Sequence, residues 1–221
     1  MKRNIITTAD GSKTIQIEEW QEQYHSTHGA IQESQHVFID NGLIYYVRSK
    51  NMSSVTILEY GFGTGLNALM TRLTAQELKI NIDYTGLEAF PVQENELEEL
   101  NYPEQLNIDP ADFDKLHETQ WDQPLSISPD FMLHKQNVYF EHFKSDKRFD
   151  IIYYDAFGAR VQPELWTKEI FEKIYEHLKE EGIMVTYSSK GSVRRALESI
   201  GFKVERLKGP PGKRHMLRAS K

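Results

Sequence analysis

Residues Val55 to Asn67 read V-T-I-L-E-Y-G-F-G-T-G-L-N. The run opens with apolar or β-branched residues, which predicts a short buried strand. Glycines follow at alternate positions, and the spacing of the apolar residues after Gly65 predicts a helix with Thr64 as its N-cap. Glycine admits positive φ and lets a ligand approach the main chain, while a helix start presents unpaired N–H groups. A strand, a glycine turn and a helix N-terminus in this order predict a nucleotide cradle.

The spacing of the glycines indicates which nucleotide the cradle takes. Dinucleotide sites use G-x-G-x-x-G. This chain has G-x-G-x-G preceded by Glu59, the usual first motif of class I S-adenosylmethionine (SAM) methyltransferases. The next predicted strand ends at Glu88, where a carboxylate can accept hydrogen bonds from both ribose hydroxyls. Because NAD and SAM sites share such an acid, Glu88 supports a nucleoside without choosing between them. An ordinary tight turn is the alternative interpretation of the glycines.

The composition is that of a globular protein of one domain, or of one domain with an insertion. The chain has 221 residues, of which 39% are hydrophobic and 27% charged. It has no cysteine, which excludes disulfides, thiolate catalysis and cysteine zinc sites. No apolar run is long enough for a membrane span, and the N-terminus lacks the apolar stretch of a signal peptide. We therefore expect a soluble cytoplasmic protein with neither a membrane nor a metal as partner.

The charges are distributed unevenly along the chain. The formal net charge is −7, yet residues 190–221 hold ten basic and two acidic residues. A basic tail on an acidic body predicts a localised anion-binding face, such as one that follows a phosphate backbone. A solvated charged surface is the alternative interpretation.

The N-terminal part of the chain predicts a hairpin followed by a polar segment that covers the mouth of the site. Asp10-Gly11 lies between two short apolar, β-branched runs, which is a strong hairpin signal. The segment 24–41 is polar, and its His25 and His28 lack a third ligand at useful spacing, which disfavours a metal site. Asn41-Gly42 predicts another turn.

Beyond this segment the chain alternates strands and helices, which indicates a doubly wound, mostly parallel sheet. The predicted strands cover about 55–60, 82–88, 131–140, 149–154 and 183–188. The predicted helices cover about 64–76, a stretch starting at Pro91, 163–178 and 192–200. Residues 202–207 and 214–218 predict a closing antiparallel hairpin.

We divide the chain into an N-terminal hairpin and cap segment, 1–50, and a methyltransferase domain, 51–221. The domain carries a proline-rich, acidic helical insertion at about 101–130. The expected fold class is α/β and Rossmann-like, as in class I SAM-dependent methyltransferases. It has a mostly parallel seven-stranded sheet, helices on both faces and the closing antiparallel hairpin.

The chemistry is expected beyond the carboxyl ends of the parallel strands, where open α/β sheets bind their ligands. The strand 149–154 leads into Asp155-Ala156-Phe157-Gly158 at that edge. If the acceptor is an amine, Asp155 can take its proton and orient its lone pair. Phe157 can stack on a base. The alternatives are a capping role for Asp155 and core packing for Phe157.

Four stretches resemble the MnmC-type methyltransferase domain, which finishes a wobble-uridine modification of tRNA. Residues 59–67 resemble its E-x-G-F-G-T-G-L-N motif, and residues 88–91 resemble its E-K-F-P motif. Residues 155–167 resemble D-G-F-A-P…P-x-M-W-T, and residues 192–217 resemble V-R-R-x-L…G-F…G-x-K-R-x-M-L. The resemblance covers roughly residues 15–219 in a consistent order.

The resemblance implies methyl transfer from SAM to the primary amine of 5-aminomethyl(-2-thio)uridine at tRNA position 34. Asp155 would then be the base or orienting acid, and Phe157 would contact the uridine. The candidate cofactor-binding residues are Glu59, Gly61, Phe62, Gly63, Thr64, Gly65, Asn67, Glu88, Ala89, Gln136 and Asp155. The candidate tRNA-binding residues are Lys190, Arg194, Arg195, Lys208, Lys213 and Arg214.

The sequence departs from the family pattern beside the acceptor. Ala156 stands where the family has glycine, and Gly158-Ala159 replaces Ala-Pro. The family often has an acid after the third strand for the adenine amine, and Gln136 or Asn137 falls nearest to that position here. The chain is too short to include the FAD-dependent oxidase that is fused to the domain in many bacteria. We therefore expect separate enzymes to supply the aminomethyl-uridine tRNA.

Three other functions fit parts of the sequence. A SAM-dependent N-methyltransferase could act on a small-molecule or protein amine instead of tRNA. A NAD(P)-binding oxidoreductase would bind a dinucleotide, which the G-x-G-x-G spacing disfavours. A non-catalytic SAM-binding tRNA scaffold would be indifferent to loss of Asp155.

Overall fold

Two β-sheets, with helices on both faces of the larger one, make up the computed structural model, which describes residues 2–221. The strands are, in chain order, β1 (Arg3–Thr7), β2 (Lys13–Ile17), β3 (Glu22–Gln23), β4 (Ser54–Tyr60), β5 (Asn81–Glu88), β6 (Pro124–Ser128), β7 (Phe131–Asn137), β8 (Phe149–Tyr154), β9 (Leu178–Thr186), β10 (Lys203–Lys208) and β11 (His215–Ser220). Strands β1 to β3 form a small antiparallel sheet, so the predicted N-terminal hairpin is confirmed. The other eight form the central sheet in the order β10-β11-β9-β8-β4-β5-β7-β6.

The helices connect the strands of the central sheet and precede its first strand. They are α1 (Ala30–Ser34), α2 (Tyr45–Lys50), α3 (Leu66–Leu78), α4 (Glu94–Leu97), α5 (Tyr102–Leu106), α6 (Pro110–Glu118), α7 (Lys168–His177) and α8 (Gly191–Ile200). A ten-residue π-helical stretch, Gln35–Ile44, joins α1 to α2 without a break. Short 3₁₀ turns lie at Phe140–His142 and Pro163–Trp166.

The sheet topology confirms the expected fold class. Strands β7, β5, β4, β8 and β9 are parallel neighbours, and β11 runs antiparallel between β9 and β10. The predicted strand number is wrong, because the central sheet has eight strands and not seven. The additional strand is β6, which pairs antiparallel with β7 at the sheet edge and opens with Pro124. An edge strand tolerates a proline because one side of its ladder is unpaired.

The turn predicted at Asn41-Gly42 is wrong, because both residues lie inside the helical run from Ala30 to Lys50. Gly42 is there for packing and not for a turn. A Cβ on Gly42 would lie 3.2 Å from the ring of Tyr153 and 3.2 Å from a methyl group of Val185. The helical run therefore lies directly on the central sheet at this point, which a side chain would prevent.

The prediction that Thr64 caps α3 is also wrong. Gly65 is the N-cap residue, with a left-handed φ of 75°, and no side chain caps the helix. The Thr64 hydroxyl instead accepts a hydrogen bond from the Tyr102 hydroxyl at 3.3 Å and lies 3.4 Å from His25 Nε2. The hydroxyl thus serves a buried polar contact under the glycine loop.

Two helices begin later than their prolines suggest. Helix α4 begins after Gln93, whose backbone N–H donates to Glu96 Oε2 at 2.9 Å in a capping box. Pro91 lies before this box. Pro163 opens the 3₁₀ turn that ends at Trp166, and α7 starts only at Lys168. In both places proline fixes the entry to the helix, and the helix itself follows.

Apolar side chains cover both faces of the central sheet. On one face the helical run 30–50, α3, α5 and α6 pack together, and the Phe38 ring lies 5.2 Å from that of Tyr153. On the other face α7 and α8 pack on the sheet, and the Tyr154 ring lies 5.0 Å from Trp166. Each large apolar side chain buried here contributes about 1.5–3 kcal/mol. None of the helices within residues 2–221 is both long and apolar enough to cross a bilayer. The division of the chain at residue 50 stays a prediction.

Candidate active site

A cavity of about 790 Å³ opens at the carboxyl ends of β4, β5 and β8. Two groups of residues line or support it. We call the first group the glycine side: Gly61–Gly65, Glu88 and Ala89. We call the second group the aspartate side: Trp20, Tyr24, Glu33, Asp155–Arg160, Tyr187 and Lys213. The cavity therefore lies at the edge of the sheet where the sequence predicts that ligands bind.

The glycine side begins with a loop held by the main chain. The N–H groups of Gly61 and Phe62 both donate to the carbonyl oxygen of Leu87, at 3.1 and 2.9 Å. Gly61 has a φ of 98°, and a Cβ there would lie 2.6 Å from the carbonyl oxygen of Asp155. The loop is squeezed between the ends of β5 and β8, and only glycine fits that position.

Glu88 is fixed against the same loop. Its Oε2 accepts a hydrogen bond from the Gly63 N–H at 3.0 Å, and its Oε1 accepts one from the Phe90 N–H at 2.9 Å. Burial raises the pKa of Glu88, although these two bonds oppose the shift. A carboxylate has about four acceptor positions, so Glu88 still has capacity for two hydroxyl donors from the cavity.

Asn67 joins the glycine side to the aspartate side through its amide group. Its Nδ2 donates to Glu59 Oε1 at 2.8 Å and to Asp155 Oδ2 at 2.9 Å, and its Oδ1 accepts from the Ser34 hydroxyl at 2.6 Å. Glu59 is fully buried beneath the cavity, and its other oxygen accepts from the Tyr84 hydroxyl at 2.8 Å. Glu59 therefore acts on the cavity through Asn67.

Asp155 lines the cavity on the aspartate side, next to the end of β8. Burial raises the pKa of Asp155 to about 7, and the nearby charge of Glu33 also raises it. The Asn67 hydrogen bond and the charge of Lys213 act in the opposite direction. Near neutral pH this carboxyl group can therefore both accept and release a proton.

The loop that carries Asp155 is fixed by two hydrogen bonds to its carbonyl groups. The Tyr187 hydroxyl donates to Ala156 O at 2.8 Å, and Trp166 Nε1 donates to Phe157 O at 2.7 Å. The Ala156 methyl group is buried in the core on the α7 and α8 face, which accounts for a side chain where the family has glycine. The loop is therefore fixed in spite of its departures from the family pattern.

An aromatic wall stands beside Asp155. The Phe157 ring meets Trp20 edge-on at 5.5 Å and Tyr24 edge-on at 5.0 Å between ring centres. Arg160 holds this wall, because its guanidinium donates to Trp20 O at 2.7 Å and pairs with Glu22 at 3.1 Å. The wall thus joins the N-terminal segment to the loop after β8.

Most of the predicted cofactor residues come together in the cavity, and Gln136 does not. Phe62, Thr64 and Ala89 line it, whereas Gly65 is enclosed by His117 and Phe62. The amide group of Gln136 lies against the His134 ring, at 3.2 Å from Nδ1.

Asn137, the neighbour of Gln136, has a supporting position. Its Nδ2 donates to Glu88 O at 2.9 Å and to Ala89 O at 3.3 Å, which fixes the turn after β5. An acid that lines the cavity after β7 is Glu141, four residues beyond Asn137.

The predicted tRNA-binding residues separate into two groups. Lys190 and Lys213 line the cavity. The side chain of Lys213 turns inward and pairs with Glu33 at 2.5 Å. The remaining four, Arg194, Arg195, Lys208 and Arg214, are exposed away from it. Arg194 pairs with Glu198 one helical turn along α8, at 2.8 Å.

Sequence reasoning missed several residues of the aspartate side. Trp20, Tyr24, Glu33, Arg160 and Tyr187 lie there, and the first three come from the N-terminal segment 1–50. The available signal was two aromatic residues, Trp20 and Tyr24, among polar neighbours, because such rings need a partner to cover them. Among residues 2–221 the structure contains no cluster of three or more histidine or acidic side chains suited to a metal ion.

The fold and this site define a class I SAM-dependent methyltransferase. The residues fit the cofactor: Glu88 offers a carboxylate to a ribose, and the glycine loop leaves the main chain open to a ligand. A family model described as S-adenosyl-L-methionine-dependent methyltransferase matches residues 131–221.

Comparison with known proteins indicates which methyltransferases the chain resembles. The chain is 26% identical over 94% of its length to "tRNA 5-methylaminomethyl-2-thiouridine biosynthesis bifunctional protein MnmC" from Actinobacillus pleuropneumoniae, and covers 34% of that protein. It is 29% identical over 90% of its length to the protein of the same name from Leptospira interrogans, and covers 32% of it. The chain thus spans about a third of the length of these curated relatives.

Solved structures agree with these relatives. The structure of MNMC2 from Aquifex aeolicus superposes with a TM-score of 0.82 and 28% identity, over 99% of this chain and 70% of that one. Spermidine synthase from Thermotoga maritima shares the fold, with a TM-score of 0.57 and 15% identity over 99% of this chain and 69% of that one. The chain therefore resembles the MnmC-type methyltransferase domain in both sequence and fold.

Proposed function

We propose that the protein transfers a methyl group from SAM to the exocyclic primary amine of 5-aminomethyl(-2-thio)uridine at tRNA position 34. The relatives named above are described as tRNA 5-methylaminomethyl-2-thiouridine biosynthesis proteins. The observation that carries the proposal is the position of Asp155. Its carboxylate is held by Asn67 at 2.9 Å, beside an aromatic wall on which a base can stack.

The reaction needs an unprotonated amine in line with a methyl donor. When bound, SAM would supply an electrophilic methyl group on its positively charged sulfur, which would leave as a neutral thioether. Asp155 accepts one proton from the incoming ammonium group, which leaves a neutral amine and a neutral carboxylic acid. Asn67 holds Asp155 Oδ2 and leaves Oδ1 for this proton.

The basic residues outside the cavity provide the proposed contact with the tRNA backbone. Arg195, Lys208 and Arg214 are exposed cations near the end of a chain that is otherwise acidic. Phosphate contacts of this kind make affinity fall steeply with salt. Because the substrate is a modified tRNA, we expect a cytoplasmic location and other enzymes that supply the aminomethyl group.

A methylation assay tests the proposal. Total tRNA from a strain that lacks the activity is incubated with labelled SAM, and the nucleosides are analysed by mass spectrometry. We expect a new 5-methylaminomethyl-type uridine, which the Asp155→Asn variant should form at least about 100-fold more slowly. No incorporation, despite SAM binding measured by calorimetry, would contradict the tRNA assignment and favour a small-molecule or protein amine. Binding of a dinucleotide in place of SAM would favour an oxidoreductase.

A further inference from the structure

A partly buried ion pair lies on the aspartate side of the cavity and has no part in the proposed chemistry so far. Lys213 Nζ donates to Glu33 Oε1 at 2.5 Å, and Glu33 Oε2 accepts the Ser26 N–H at 2.8 Å. The Glu33 side chain is only 8% exposed and that of Lys213 is 33% exposed. Because the Glu33 carboxylate has little contact with solvent, the charges of this pair are screened less than those of a surface pair and act on neighbouring groups.

The pair also has a mechanical connection to Asp155. Lys213 Nζ lies over the Tyr187 ring, 3.8 Å from its centre. The hydroxyl of the same tyrosine donates to the carbonyl oxygen of Ala156, the residue after Asp155. Lys213 is therefore one side chain away from the main chain of the catalytic loop.

The turn that carries Lys213 is fixed against the N-terminal segment. A Cβ on Gly212 would overlap the ring of His28, so the main chain of the turn lies against this ring. Gly212 has a φ of 80°, which suits glycine. Lys213 is thus placed in the cavity by its own turn as well as by its ion pair.

We propose that Glu33 and Lys213 form a positioning pair for Asp155. Lys213 pairs with Glu33 and neutralises its charge. Asp155 is then the carboxylate that remains to accept the proton of the amine. The lysine ammonium also offsets the negative charge of Glu33 near Asp155. The identity of this proton donor rests on the proposed function. The assignment moves Lys213 from the tRNA-binding set to the catalytic site, and leaves Arg214 outside it.

The charged groups around Asp155 predict the direction in which each substitution shifts its pKa. The titratable groups that face it come from α1, β4, β5, the residue after β9 and the β10–β11 turn; they are Glu33, Glu59, Tyr84, Tyr187 and Lys213. Of these, Lys213 is the cation. Loss of its charge should raise the pKa of Asp155, and loss of the Glu33 charge should lower it.

The experiment is a titration of the Asp155 carboxyl carbon by NMR in protein labelled with ¹³C-aspartate, assigned with Asp155→Asn. Lys213→Met should move the midpoint up by about one pH unit, and Glu33→Gln should move it down by a similar amount. The double variant should return close to the wild-type midpoint, and Lys213→Arg should keep it. Arg214→Met is the matched loss of an exposed charge and should leave the midpoint in place.

The same variants are then assayed for the pH dependence of single-turnover methyl transfer to tRNA, where the acid limb should follow the NMR midpoints. Thermal melting identifies a variant that does not fold. If a single charge-removing variant fails to fold, the midpoints of Lys213→Arg and of the double variant test the pair instead. If folded variants of Glu33 and Lys213 leave the Asp155 midpoint unchanged, the proposed pair is wrong. If the midpoints move as expected while wild-type protein methylates no tRNA, the pair stands and the proposed substrate fails.

Discussion

The two sides of the cavity are built in different ways. The glycine side is held by the main chain: N–H groups of Gly61, Phe62 and Gly63 bond to Leu87 and Glu88, which lie next to each other at the end of β5. The aspartate side is held by side chains from distant parts of the chain, such as Arg160 to Trp20 and Lys213 to Glu33. Main-chain donors hold the glycine side in one geometry, whereas the side-chain contacts of the aspartate side can be exchanged one at a time.

Because of this difference, we expect cofactor binding to depend on the glycine side and binding of the methyl acceptor to depend on the aspartate side. A substitution on the aspartate side can change the acceptor while β4, β5 and their loop remain as they are. A substitution in the glycine loop changes the main chain that both sides share, because Gly61 touches the carbonyl oxygen of Asp155. Effects on chemistry and effects on cofactor affinity should therefore separate by side, with Gly61 as the exception.

The largest effect is expected for Asp155→Asn. The variant keeps the size of the side chain but removes the proton acceptor, so kcat should fall by about 100-fold or more. Because the change lies on the aspartate side, calorimetry should give a SAM affinity close to that of the wild type. Asp114→Asn, an exposed acid on α6, is the matched control. A fully active Asp155→Asn enzyme would remove the proposed catalytic role.

Gly61→Ala should damage both sides at once. The new Cβ would lie 2.6 Å from Asp155 O at a φ of 98°, so the loop has to move. We expect SAM affinity to drop by about tenfold or more and stability to fall by about 2 kcal/mol. Gly158→Ala is the control, because its Cβ would meet nothing closer than 3.7 Å. Equal melting temperatures and SAM affinities for the two variants would contradict the squeezed loop.

Arg160→Met should affect the acceptor alone. It removes the hydrogen bond to Trp20 O and the ion pair with Glu22, which is partly exposed and worth less than about 1 kcal/mol. The aromatic wall should loosen, and KM for the tRNA should rise by about two- to fivefold. SAM affinity should stay constant. A change in SAM affinity with an unchanged KM would reverse the division between the two sides.

The smallest effect on activity is expected for Lys135→Met. Lys135 is buried behind the glycine loop, and its ammonium donates to His117 O at 3.0 Å and lies 5.0 Å from the centre of the Trp121 ring. Unlike Lys213 it has no carboxylate partner, and burial lowers its pKa to about 8.

The folded state therefore binds fewer protons than the unfolded state between pH 8 and about 10, so this group makes stability rise with pH in that window. Denaturant unfolding should show a rise of about 2 kcal/mol in the wild type relative to the variant, with similar kcat at neutral pH. Parallel curves for the two proteins across this window would rule out a neutralised buried lysine.

The same division explains what could be predicted from the sequence. The residues of the glycine loop are consecutive in the sequence, and Glu88 ends the next strand. The sequence pattern was therefore sufficient to predict the glycine side. Asp155 was found because it ends a strand buried along its whole length, Phe149–Tyr154. Glu33 and Tyr187 were not found, because no local pattern shows that a helix near the N-terminus and the end of β9 meet at one cavity.

The errors in the fold have a similar physical origin. Asn41-Gly42 was predicted to be a turn because glycine is common where the backbone turns. Here the missing side chain of Gly42 instead lets a helix contact the sheet. Thr64 looked like a helix cap, but its hydroxyl has buried partners in Tyr102 and His25. Residues 124–128 were assigned to the helical insertion, yet they form β6, because the edge of a sheet accepts a proline. In each case tertiary packing overrode a local preference.

The ion pair between Glu33 and Lys213 joins residues 180 positions apart. On the ribosome, the glycine loop can fold as soon as the strands around it have emerged, but the aspartate side has to wait for the last hairpin. Contacts of such long sequence separation form late, because the loop that they close is costly in entropy. A nascent chain would therefore form the glycine side well before the aspartate side is complete.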